Sequence, residues 1–87
     1  MQLKNYMEEV VWSELNDILV SHPEVCHCEN CCYDIVALTL NKLVPRYVVT
    51  DKGETYTKVN NLRMQFKVDI ISALANAIQI VATNPRH

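Results

Sequence analysis

Residues 70–81 read Ile70-Ile71-Ser72-Ala73-Leu74-Ala75-Asn76-Ala77-Ile78-Gln79-Ile80-Val81. Ile70, Ile71, Leu74, Ala77, Ile78 and Val81 recur at three- and four-residue spacing, the signature of a helix with an apolar stripe. Phe66, Ala73, Ala75 and Ile80 widen that stripe until little of the second half is polar, and the pattern predicts one long helix from about Val59 to Thr83. A helix apolar on most sides needs covering on most sides. Two shorter helices of the same chain would not suffice, so a homodimer is the physical expectation. A tight three-helix monomer, with Ala residues at its close crossings, is the alternative.

Towards the N-terminus a first helix is predicted from about Leu3 to Val20, because Leu3, Tyr6, Met7, Val10, Val11, Leu15, Ile18 and Leu19 share the helical period. Pro23 forbids its continuation, lacking an amide donor and clashing with the preceding turn. A second helix should start near Asn30, a suitable N-cap, and run to about Leu43 ahead of Pro45. Its apolar face is Cys32, Ile35, Val36, Thr39, Leu40 and Leu43. Between the second and third helices, Tyr47–Thr50 and Thr55–Lys58 are β-like and flank the turn signal Asp51-Lys52-Gly53-Glu54. They either pair as a small hairpin or cross the surface extended. The expected fold is all-α: a single domain over residues 1–87, with three main helices and a cysteine loop, paired as an intertwined homodimer.

The 87 residues allow one domain, and a chain of this size buries roughly 60–65% of its unfolded surface. Such a marginal core often leans on a metal, disulfides or a partner subunit. With 49% hydrophobic and 21% charged residues the chain is globular rather than disordered. Gly53 is its one glycine, which excludes phosphate-cradling loops of the P-loop or Rossmann type. A net charge of −2 provides no footprint for nucleic acid. No apolar run approaches the ~18 residues of a membrane span, and Met1–Tyr6 is polar, unlike a signal peptide. A soluble, cytoplasmic location is expected.

All four cysteines fall within Cys26-His27-Cys28-Glu29-Asn30-Cys31-Cys32. Disulfides between such close neighbours would restrain little chain entropy. A redox role for Cys28-x-x-Cys31 lacks the strand–motif–helix context of thioredoxin-like folds. Metal binding is the better reading, since a C-x-C-x-x-C loop can wrap three thiolates around a tetrahedral Zn²⁺. Cys26, Cys28 and Cys31 are the candidate ligands, and a structural zinc would add about 10–16 kcal/mol of apparent binding free energy to folding. Cys32 projects about 100° around the helix from Cys31, and His27 would strain the loop between two ligands. His87 can fold back if the last helix ends beside the cluster, so the fourth ligand is open between Cys32 and His87. No nucleophile–base pair is identifiable, and an enzyme is not expected.

Lys4-Asn5-Tyr6-Met7-Glu8-Glu9-Val10-Val11, the C-x-C-x-x-C loop, Asp34 to Thr50 with its Asp–Ala–Leu–Asn–Pro–Tyr–Thr string, and Tyr56-Thr57-Lys58 resemble the late competence protein ComFB family in order along the chain. The resemblance implies an all-helical, homodimeric, non-enzymatic protein that binds zinc through the cysteines. It further implies a receptor for cyclic dinucleotides, chiefly cyclic di-GMP with cyclic di-AMP as a second candidate ligand, linked to competence, motility and cell-size control through a protein partner still to be named. Some relatives carry the last zinc cysteine beyond the third helix, where this chain has His87 and, elsewhere, the extra Cys32.

A cyclic di-GMP site needs cations for two phosphates, and flat surfaces with hydrogen-bonding groups for two guanines. Arg46 can pair bidentately with phosphate or with guanine O6 and N7, and Tyr47 can stack on a base. Lys4 would neutralise phosphate at the first helix's N-terminus. Asp34 or Glu8 can accept from guanine, and Asn5, Asn41 or Thr50 can complete the hydrogen bonds. Structural roles compete: Lys4 and Glu8 are an i, i+4 pair, Asp34 suits a helix's first turn, Asn41 a helix end, and Tyr47 a core edge. The alternative function is a zinc-stapled dimeric adaptor with no small-molecule ligand.

Overall fold

The computed structural model describes residues 2–50 and 55–85. Two strands and four helices are found among them: β1 Gln2–Asn5, α1 Met7–Ser21, α2 Glu29–Lys42, β2 Tyr47–Thr50, α3 Thr55–Gln65 and α4 Lys67–Thr83. The all-α expectation holds, with the addition of one small antiparallel sheet.

Packing of α1, α2 and α4 forms the core. Val10, Val11 and Leu15 of α1 meet Ile35 and Val36 of α2 and Ile70, Leu74, Ala77 and Val81 of α4. The stripe read from residues 70–81 is thus the buried face of α4, while Ile71, Ala75 and Ile80 face outward. Thr39, fully buried on α2, satisfies its hydroxyl by donating to the Ile35 carbonyl at 2.7 Å.

Two boundaries and one strand pairing differ from the sequence reading. The first helix starts at Met7 rather than Leu3, because Gln2–Asn5 is drawn into a strand against Tyr47–Thr50. The register pairs Leu3 with Val49, Lys4 with Val48 and Asn5 with Tyr47. The Tyr47–Thr50 partner is therefore the N-terminus and not Thr55–Lys58, whose residues open α3. The second helix is capped by Cys28 instead of Asn30: the Cys28 sulfur accepts from the Cys31 amide at 3.4 Å. The Asp51–Glu54 turn lies outside the described residues.

The long third helix is two helices, bent by 82° at Phe66. No proline or glycine is present there to break it. Phe66 N donates to the Leu62 carbonyl at 3.0 Å and its own carbonyl accepts from Ile70 N at 2.9 Å, so one residue closes α3 and opens α4. The break is stabilised by contacts from outside the segment. Arg63 on α3 donates through Nε to Glu14 at 3.0 Å, through Nη1 to Ser13 at 2.7 Å, and through Nη2 to Asp17, all on α1. Among the described residues no single helix is long and apolar enough to cross a membrane; α3 and α4 have the length and composition only together, across their bend.

Candidate ligand cleft and metal centre

Where α2 ends, the chain turns along the start of α4 and leaves a cleft of about 410 Å³. Lys42, from the last turn of α2, and Arg46, just before β2, supply its cations. Asp69, Ser72 and Asn76 of α4 supply its polar wall, and Met7, Phe66 and Ala73 its apolar one. The Arg46 guanidinium lies over the Phe66 ring, 4.3 Å from its centroid. A cation so placed is attracted by the electron-rich face of the ring. No ion pair among the described residues engages Lys42, Arg46 or Asp69.

Of the predicted ligand residues, Arg46 lines this cleft. Lys4, Asn5, Tyr47 and Thr50 share the adjoining sheet, with Asn5 directly opposite Tyr47. Lys4 is in a strand, not at a helix N-terminus, and its ion pair is with Glu9 rather than Glu8. The Asn5 side-chain oxygen accepts from Arg46 N at 2.9 Å and Met7 N at 3.2 Å, and so sets the backbone that presents Arg46. Tyr47 is largely exposed, Glu8 and Asn41 are exposed on α1 and α2, and Asp34 is half-buried in α2. The second helix is C-capped at Leu43, not at Asn41.

Sequence reasoning missed Lys42, Phe66, Asp69, Ser72 and Asn76. A signal for three of them was present: Asp69, Ser72 and Asn76 stand at i, i+3 and i+7 in an otherwise apolar segment. It also missed Glu14, which is 3% exposed on α1 and is held by Arg63 and by Lys67 Nζ at 3.4 Å.

The cysteine loop forms a second candidate site. The sulfurs of Cys26, Cys28 and Cys31 all lie within 4.8 Å of one another. Tetrahedral zinc, with bonds of about 2.3 Å, sets sulfur–sulfur spacings near 3.8 Å, so a small contraction would close the three onto one ion. Cys26 is at the surface, Cys28 is half-buried and Cys31 is buried at the start of α2. Burial first, then hydrogen bonding with Cys28 and Cys26, pushes the Cys31 thiol up to about 12. Zinc would reverse that balance, because a coordinated thiol is held as thiolate. The donor set therefore fits a soft cation.

Cys32 is buried and its thiol is also pushed up, mainly by burial, but it does not join the three-sulfur group. His87 lies outside the described residues. The end of α4 does come to the cluster: Cys26, Cys31, Val81 and Pro85 line one cavity of about 370 Å³.

Comparison with known proteins matches residues 4–85 to the family described as late competence development protein ComFB. Competence protein ComFB of Bacillus subtilis (strain 168) is 33% identical over 79 residues, covering 90% of this chain and 81% of that protein. The solved structure of the late competence protein ComFB from Bacillus subtilis superposes with a TM-score of 0.71 at 29% identity, covering 98% of this chain and 96% of that one.

Proposed function

The chain belongs to the late competence development protein ComFB family, and on that footing we propose that it is a non-enzymatic cytoplasmic receptor for cyclic di-GMP, acting as a homodimer with zinc as a structural staple. The observation that carries the ligand is the pair of cations, Arg46 and Lys42, which line one concave site and form no ion pair among the described residues. A phosphate takes a planar guanidinium fork bidentately, and the Arg46 guanidinium rests against the Phe66 ring in the wall of the cleft. Tyr47 offers an exposed ring for a base, and Lys4, Asn5, Glu8, Asp34, Asn41 and Thr50 are the further ligand residues of this reading.

Zinc would be held by Cys26, Cys28 and Cys31, tying the loop after α1 to the start of α2. Bound there, it supplies folding free energy and no chemistry on a substrate. The homodimer is supported by apolar side chains that one copy leaves uncovered on α3 and α4, Met64 at 79% and Val68 at 81% exposed. A two-fold axis suits a pseudo-symmetric ligand, since each subunit offers the same half-site. Signalling to a protein partner then requires that the ligand bind one subunit arrangement more tightly than another.

The same exposed apolar surfaces favour a second reading, in which the protein is a zinc-stapled adaptor without a ligand. Calorimetric titration with cyclic di-GMP, at known metal content, separates the two. The receptor gives one ligand, or one stacked ligand pair, per two chains, and Arg46→Ala weakens binding about tenfold or more. Absence of both heat and thermal stabilisation with cyclic di-GMP, cyclic di-AMP and linear dinucleotides overturns the receptor reading and leaves the adaptor.

A further inference from the structure

We propose that Asp69 reads the base in this cleft, accepting from the N1–H and N2–H donors of guanine and so discriminating against adenine; this rests on the cyclic dinucleotide reading above. The helix α4 is apolar over most of its length, yet Asp69, Ser72 and Asn76 interrupt it at i, i+3 and i+7. That spacing gathers them on one face, and all three line the cleft that Lys42 and Arg46 also wall.

Two features make Asp69 the reader. It stands in the first turn of α4, where acidic side chains suit the positive end of the helix. It also shares a concavity with two cations without forming an ion pair to either. Opposite charges that wall one cleft and do not pair with one another leave room for a ligand carrying both an anionic group and a donor-rich edge. Phosphate answers Arg46 and Lys42. Guanine answers Asp69, because its adjacent N1–H and N2–H match the two oxygens of a carboxylate, and its O6 can accept from the Asn76 amide or the Ser72 hydroxyl. Adenine turns an N1 lone pair towards that carboxylate and offers one donor group, so the contact becomes repulsive.

A fully buried donor-reading site rejects the wrong analogue by several orders of magnitude. Asp69 is exposed, so the expected preference for cyclic di-GMP over cyclic di-AMP is on the order of 10- to 100-fold. The full chain is titrated with both dinucleotides as wild type, Asp69→Asn and Asp69→Ser; serine retains a good helix-start residue if asparagine perturbs the fold. The expected result is a loss of about tenfold or more in cyclic di-GMP affinity in both variants, little change for cyclic di-AMP, and unchanged circular dichroism. Wild-type binding of cyclic di-GMP with the same affinity and selectivity in both variants overturns the base-reading role while the receptor reading stands. A wild type that binds neither dinucleotide overturns the receptor reading, and this inference with it.

Discussion

The side-chain oxygen of Asn5 accepts from two backbone amides, one at the start of α1 and one at Arg46, 41 residues away in sequence. Replacing Asn5 with Ala leaves both amides without that acceptor, and a lost cap of this kind costs about 1–2 kcal/mol. Asn5→Asp keeps the acceptor and should recover most of the loss in a urea titration. Equal midpoints for Asn5→Ala and wild type would refute the structural role. The sequence marked Asn5 as a residue that could complete hydrogen bonds to a ligand, and nothing local announces an acceptor for a distant amide. Arg46 was legible for a different reason. A cation after a helix-stopping proline, beside an aromatic, has no packing partner nearby in sequence, and its partner Phe66 is supplied by the fold.

The bend between α3 and α4 belongs to the scale of elements. Residues 59–83 contain no helix breaker, and local propensity alone runs them together. The described residues of α3 bury no side chain fully, so its seat depends on partly buried Val59 and Leu62 and on Arg63. The Arg63 guanidinium is held charged above its ordinary range by hydrogen bonding to Asp17 and then to Glu14, against the opposing effect of burial. Removing one partner of a buried pair costs about 3–5 kcal/mol. Lys67 still reaches Glu14, so Arg63→Ala should cost roughly 2–3 kcal/mol by chemical denaturation. Asp17 is exposed and Asp17→Ala should cost less than about 1 kcal/mol. Equal effects of the two substitutions would mean that Glu14 is not what anchors α3. Hydrogen exchange should show α3 opening first in Arg63→Ala.

For the whole molecule, the cysteine centre makes stability depend on pH in opposite senses with and without metal. In the metal-free protein the Cys31 thiol keeps its proton to about 12, whereas in the unfolded chain it releases it near the ordinary 9.0. Between those values the folded state binds more protons, so stability is intact below about pH 9 and falls as pH rises through the window. With zinc bound, the thiolates must compete with protons, and stability falls instead as pH drops. Melting curves with zinc and with a chelator, from pH 6 to pH 10, should therefore diverge least on the acid side and most at the alkaline end. Cys31→Ala should reduce the alkaline loss in the chelated protein, and the remainder belongs to Cys32, whose buried thiol is pushed up in the same direction. A chelator that leaves the melting temperature unchanged at pH 7.5 would exclude a structural metal.

The helices of the core were determined by the sequence itself, because three- and four-residue spacing of Val, Leu and Ile dictates which face is buried before any partner is specified. The metal candidates were determined in the same way, since a sulfur cluster spanning six residues needs only local chain geometry. Tertiary structure decided the rest. A strand of four residues has no stability until another strand pairs with it, so β1 appears only when residues 47–50 arrive from the far end of α2. A helix without a breaker bends when side chains from another element, here Ser13, Glu14 and Asp17, hold one half of it at an angle. The cleft exists because that bend and the end of α2 bring Lys42, Arg46 and Asp69 to one place. Local spacing cannot encode such a meeting, because the charges that form it come from elements separated by more than twenty residues.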